Sequence, residues 1–370
     1  MTPARGLSLR CLLKGSSLRT ALETARARMS RAAALTGLAA TVIAPLALGS
    51  CGKDVAQPSQ ANPEVIRFSV LSAGSSRTAG QYWRPILADL AAQTGLKVEP
   101  YYSDSYPPLV EAMRLKKTDA GWFSNESGLQ VVRRGGGEVF ARTFGANGGA
   151  GDTSVLIVNA KSSLTLDKAL KCDRRLSLGL GDALSTSGAM APVAYLFAPR
   201  NIDPKACFHQ VRAATQAANL LAVANGQVDV ATISSASLTL AAQAGRPEAG
   251  EVKVVWRSPP LPEDPIIWRK TLDPVVKEKL RQFFLTYGQG DNAQAARQRG
   301  NLARLNVAGF EPADDNHLLP VREMEAAEAW ISAKQSHDTA RIAAAQKGLD
   351  NIRAQREALE GRTRAPAAAQ

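Results

Sequence analysis

Histidine is nearly missing from this chain, with three in 370 residues. Cysteine is almost as scarce at four, and no C-x-x-C pair occurs. A zinc site needs clustered Cys and His, so neither a metal nor any other cofactor is expected. Aromatic residues make up 5%, too few for the stacking platforms that hold single-stranded nucleic acid. A nucleophilic serine needs a base beside it. The chain has no G-x-S-x-G elbow, and His209, His317 and His337 are scattered, so an enzyme is not expected. No uncharged apolar run is long and continuous enough for a spanning helix, which wants ~20 residues. What remains is 45% hydrophobic and 21% charged. That is globular composition, and it excludes a wholly disordered chain or a coiled coil. The length suits roughly two domains.

Lysine and arginine total 45 against 33 Asp and Glu, a net charge of +12. The excess is uneven. Residues 1–50 hold seven bases (Arg5, Arg10, Lys14, Arg19, Arg26, Arg28 and Arg31) and one acid, Glu23, which leaves +6 there and +6 for residues 51–370. The larger part is thus only mildly basic, without a clustered Lys/Arg face, and nucleic-acid binding is not expected.

An export signal accounts for the N-terminal charge. After Arg31 comes an uncharged run, Ala32 to Ser50, broken by Pro45. It fits the core of a signal peptide. Its end, Leu48-Gly49-Ser50-Cys51, resembles the lipobox of bacterial lipoproteins, in which the cysteine thiol takes the lipid. A start at Met29 would give a signal of conventional size. Residues 1–50 are therefore expected as leader, and 51–63, polar and proline-bearing, as a tether. The protein would sit in the periplasm, anchored to the membrane through Cys51. Two cysteines then remain, Cys172 and Cys207. Each precedes an expected strand, so they either pair, as an exported protein permits, or stay as buried thiols.

From Val65 onward, strand-like and helix-like segments alternate. The pattern argues for an α/β fold with mixed, mostly parallel sheets. A glycine-rich stretch, 145–151, and a proline-rich one, 258–265, flank a middle α/β unit. The expected organisation is one lobe from 64–151 and 260–335, and a second, inserted lobe from 152–259. A C-terminal helix and a disordered tail would fill 336–370. Ligands of such sheets bind beyond the carboxyl ends of the strands, here between the lobes.

The segment that carries chemistry is Gly181-Asp182-Ala183-Leu184-Ser185-Thr186-Ser187-Gly188, between an expected strand and an expected helix, 187–198. A helix N-terminus offers orphan N–H donors and about half a positive charge, which suit phosphate-like anions. Serine and threonine also favour such places as simple caps. Three consecutive hydroxyls exceed the need of a cap.

From about Phe68 to Leu319 the chain resembles the periplasmic phosphonate-binding proteins of phosphonate and phosphite ABC transporters. The resemblance rests on YYSDSYPPLVEAMRLKKTDAGWF, GDALSTSGAMAPVAYLFA, LLAVANGQVDVAT and VVWRSPPLPEDPIIWRK. It implies the two-lobed Venus flytrap fold and an ABC permease as partner. It also implies phosphonate contacts from Ser185, Thr186 and Ser187, a cleft tyrosine at Tyr106, and a carboxylate for the ligand's amino group at Asp264. A homodimer through the C-terminal helix is implied as well. Three positions depart from the family. Gln216-Ala217 replaces a His-Glu pair, Ala236 stands where a second amine-binding glutamate is usual, and Asp152 replaces a cleft tyrosine. Asp152 is expected to supply the carboxylate that Ala236 lacks, which would suit a zwitterionic phosphonate. Another oxyanion (phosphite, phosphate or sulfate), or a sensor role with the same fold, remains open at this level.

Overall fold

The computed structural model describes residues 65–71, 78–146 and 151–364, all within one compact unit, Gln60–Gln370. The leader, Cys51, the tether and the expected disordered tail from Thr363 fall wholly or largely outside the described residues. Among those described, no helix is long and apolar enough to cross a membrane.

Eleven strands are formed among the described residues: β1 (Val65–Leu71), β2 (Lys97–Ser103), β3 (Ala120–Trp122), β4 (Gly137–Gly145), β5 (Ser154–Asn159), β6 (Ser177–Leu180), β7 (Gln210–Ala213), β8 (Val230–Ser234), β9 (Val252–Arg257), β10 (Pro265–Arg269) and β11 (Val307–Pro312). They make two sheets, β11-β4-β10-β3-β1-β2 and β7-β6-β8-β5-β9. Both are mixed. Four of the nine pairings are parallel, β1 with β2 and β3, and β6 with β7 and β8. That share is smaller than the strand–helix alternation suggests. Strands that enter from the crossover segments, β5 and β10, run against their neighbours.

The chain crosses between sheets twice, from β4 to β5 and from β9 to β10. The parallel strands end in short turns that lead straight into helices. Thus β2 leads to Tyr106–Arg114, β3 to Asn125–Arg134, β7 to Gln216–Ala224 and β8 to Ser235–Gln243. The N-termini of the last three are capped by the side chains of Ser124, Thr215 and Ser234. These caps satisfy donors that a helix start leaves open.

The few aromatics are concentrated under the first sheet. Phe68, Trp83, Phe140, Trp268, Phe284 and Phe310 share one buried cluster, in which Phe140 and Trp268 stack with centroids 3.9 Å apart. The second sheet is packed mainly by aliphatics such as Val155, Ile157, Leu220 and Ile233. Behind β6 and β7, a disulfide joins Cys172 to Cys207. The two strands run side by side from Ser177 and Gln210, which brings the preceding cysteines together.

The expected helix at 187–198 is not a regular α-helix. Thr186–Met190 and Val193–Phe197 are wound as π-turns on either side of Pro192. The reason lies in the hydrogen bonds of the Gly188 carbonyl. Proline has no N–H to give the carbonyl four residues back, which is that of Gly188. That carbonyl instead accepts from Gly181 N at 2.7 Å and from the Thr232 hydroxyl.

Three elements not expected from the sequence are also present: Ser235–Gln243, β11 and the helix Leu319–Gln335. The C-terminal helix, Thr339–Arg364, folds back on Leu319–Gln335. Leu349 is buried, and Arg353 and Arg356 both reach Glu323.

Candidate ligand-binding cleft

A cavity of about 200 Å³ lies where the strand ends of the two sheets meet. Thr186, Ser187, Gln216 and Ser234–Ser237 line it from the second sheet. Tyr106, Trp122, Ser124 and Asn125 line it from the first, and Asp152, Glu263 and Asp264 come from the crossovers. Among the described residues that line it there is no Lys, Arg or His.

One end is rich in donors. Gly181 and Gly188 face each other so closely that a Cβ on Gly181 would lie 2.6 Å from Gly188 Cα. The pinched loop presents Ser185, Thr186 and Ser187, but not alike. Ser185 accepts from Gly188 N at 3.0 Å and so acts as the cap. It borders a small neighbouring void with Tyr106, whereas Thr186 and Ser187 line the cleft. Gln216 is held by Ser234 N, which donates to Oε1 at 2.6 Å. Its amide NH2 therefore faces the other way, toward Ser187 Oγ at 3.4 Å. The Tyr106 hydroxyl stays protonated, because burial and the Asp264 charge both push its pKa up.

The sheets meet directly at this end. Glu126 N donates to Thr186 Oγ1 at 2.8 Å, and Ser124 Oγ donates to Leu184 O at 2.7 Å. Thr186 keeps its own O–H for another acceptor. Glu126 itself is buried. Desolvation lifts its pKa to about 7, against the opposing pull of Gln130, which donates to Oε1 at 2.8 Å.

The other end is acidic. Asp152 Oδ1 accepts from Ser235 Oγ at 2.7 Å and from Ala236 N at 2.9 Å. The carboxylate thus lies at residue 236, where the side chain is only a methyl. Glu263 accepts from Gly145 N at 3.1 Å and from Thr143 Oγ1 at 3.2 Å. No hydrogen-bond donor meets the Asp264 carboxylate among the described residues. All three pKa values are raised, first by burial. The charge of Asp152 adds to the rise at Glu263 and at Asp264, and Glu263 adds to it at Asp264.

Sequence reasoning named Ser185, Thr186, Ser187, Tyr106, Gln216, Asp152 and Asp264, and the structure gathers six of them on one cavity, with Ser185 just behind. It missed Glu263, Asn125 and the serines of 234–237. The run Ser234-Ser235-Ala236-Ser237 before Leu-Thr-Leu was a legible start signal for a helix. A larger cavity, about 950 Å³, lies under the C-terminal helices and touches none of the seven.

Comparison with known proteins bears on the family and the fold. Residues 68–318 match the family model for the periplasmic substrate-binding protein of phosphonate ABC transporters. The chain belongs to this family. A curated member, the phosphonates-binding periplasmic protein of Escherichia coli K12, is 37% identical over 262 residues, covering 70% of this chain and 76% of that one. A crystal structure of the binding-protein component of an ABC phosphonate transporter from Pseudomonas aeruginosa superposes with a TM-score of 0.76 at 34% identity. It covers 81% of this chain and 100% of that one. A Prochlorococcus marinus protein, PhnD1, solved with methylphosphonate, shares the fold at a TM-score of 0.61 and 18% identity, covering 71% and 97% of the two chains. The phosphonate-binding family consists of transport components rather than enzymes, and the two mixed sheets here are its Venus flytrap fold.

Proposed function

We propose that this protein is the lipid-anchored receptor of a phosphonate importer, and that its cargo is a phosphonate bearing a primary ammonium group. The observation that carries the reading is the polarity of the cavity, with hydroxyl and amide donors at one end, three carboxylates at the other, and no cationic side chain among the described residues that line it. A phosphonate seated on Thr186, Ser187 and the Gln216 amide needs no lysine. Hydrogen bonds to a charged group contribute about 1.5–3 kcal/mol each. A carboxylate near that anion would repel it by about 4 kcal/mol per unit of phosphonate charge at ~4 Å and an effective dielectric of ~20. An intervening ammonium converts this repulsion into attraction. Asp264 faces the cavity without a donor, and Asp152 takes the place of the family glutamate missing at Ala236. The two sheets then act as lobes that close on the ligand about the crossovers that carry Asp152 and Glu263–Asp264. Cys51 carries the lipid, and an ABC permease receives the cargo.

Thermal shift and calorimetry with 2-aminoethylphosphonate, methylphosphonate, phosphite, phosphate and sulfate test this. At 100 times its dissociation constant a ligand stabilises by about 2.7 kcal/mol. The aminophosphonate should give the largest shift, and Asp152→Asn should weaken it while sparing methylphosphonate. A shift with phosphate or sulfate alone would overturn the reading. Lipidation is tested separately by fatty-acid labelling, which Cys51→Ala should abolish.

A further inference from the structure

Two groups on the cavity wall have so far been given no contact with the cargo. Asn125 is 1% exposed, in the first turn of its helix. Its Nδ2 donates to Pro262 O at 2.8 Å. A carbonyl can only accept, so the amide orientation is determined. Its Oδ1 has no partner, an uncommon state for a buried acceptor. Glu263 is the second. Its hydrogen-bond donors, Gly145 N and Thr143 Oγ1, are neutral. Arg142, whose charge also reaches it, is paired with Glu311. A Cβ on Gly145 would lie 2.5 Å from Glu263 Oε1. Only a glycine at 145 lets this carboxylate settle where it does.

A primary ammonium carries three N–H groups, each of which wants its own acceptor. Asp152 and Asp264 supply charge on the side of the crossovers. We infer that Asn125 and Glu263 are further specificity-determining residues, which complete a set of acceptors around a primary ammonium and discriminate against quaternary or uncharged ends of the same phosphonate. This rests on the cargo proposed above. Asn125 supplies a neutral acceptor from the first-sheet wall, and Glu263 supplies a third carboxylate, held in place by Gly145.

The experiment measures dissociation constants for 2-aminoethylphosphonate, propylphosphonate and 2-(trimethylammonio)ethylphosphonate. The proteins are wild type, Asn125→Leu, Glu263→Gln and Gly145→Ala, each checked for a cooperative melt. The quantity read is the preference for the amine over its two analogues. A charge-assisted hydrogen bond corresponds to about tenfold or more in affinity. The preference should fall about tenfold in Asn125→Leu and Glu263→Gln, and several-fold in Gly145→Ala, which displaces Glu263 without altering its charge. A purely structural role would weaken all three ligands together and leave the preference at its wild-type value, and that result would overturn the inference. If wild type itself shows no preference for the amine, the cargo reading falls and takes this inference with it.

Discussion

The two ends of the cleft are built by different means. At the donor end, a pinched loop, a cap and a side-chain amide are all held by short-range contacts: Gly181 against Gly188, Ser185 on Gly188 N, and Gln216 on Ser234 N. The groups there are neutral. At the acidic end, Asp152, Glu263 and Asp264 come from the two crossover segments, far apart in sequence, and each is ionised less readily than usual. An anion can be bound by oriented dipoles alone. A cluster of carboxylates cannot stay charged without a cation, and the cation here is assigned to the cargo.

Breaking the donor end should have the largest effect. Gly181→Ala puts a Cβ against Gly188 Cα and opens the loop, so several charge-assisted bonds fail at once. The affinity for every phosphonate should fall by about a hundredfold or more in calorimetry, with or without an amine on the ligand.

Just behind this end, Glu126 gives a stability test. Its pKa moves from an ordinary 4.5 to about 7 on folding, a change worth about 3 kcal/mol. A raised carboxyl pKa contributes stability that is present below pH 4.5 and lost as pH rises through about 7. Glu325 and Glu328 oppose ionisation and Arg133 favours it, but burial is the leading cause. Glu126→Gln should therefore gain on wild type by roughly 6–10 °C between pH 4 and pH 8 in thermal melts.

Thinning the donor end is gentler. Thr186→Val and Ser187→Ala should each weaken phosphonates by about tenfold, measured by calorimetry. Unlike changes at the acidic end, they should not alter the preference for an amine.

The smallest signal is a proton count. An ammonium ligand favours the ionised form of Asp152, Glu263 and Asp264, so 2-aminoethylphosphonate should release protons on binding at mildly acidic pH. Methylphosphonate, an uncompensated anion, should take them up. Calorimetry in buffers of different ionisation enthalpy reads the sign, and equal signs for both ligands would erase the contrast between the two ends.

Most of the fold was legible because its signals are local. Alternating apolar segments marked the strands, and glycine- and proline-rich breaks marked the crossovers. Where signals were weak, the reading stopped short. The segment Val307–Pro312 is short and interrupted by Gly309, and as β11 it pairs only with β4, at the edge of the first sheet. The helix at 187–198 looked regular because the pattern of apolar residues ignores hydrogen-bond partners. The effect of Pro192 on the Gly188 carbonyl appears only when Gly181 and Thr232 arrive from elsewhere. In the cleft, hydroxyls next to a glycine turn were readable, and so was Asp152 as a carboxylate on the cavity wall beside Ala236. Asn125 and Glu263 were not, since an asparagine after a strand and a glutamate before Asp-Pro look like turn residues.

The sequence by itself determined the composition class, the strand–helix alternation and the hydroxyl-rich turn, because each depends on neighbours within a few positions. Tertiary structure decided which of those hydroxyls faces the cavity and which merely caps. It also set the direction of the Gln216 amide and the meeting of three carboxylates from residues 152, 263 and 264. The meeting of those carboxylates goes with contacts between segments more than a hundred residues apart, such as Thr143 with Glu263 and Asn125 with Pro262, and no local pattern encodes such distances.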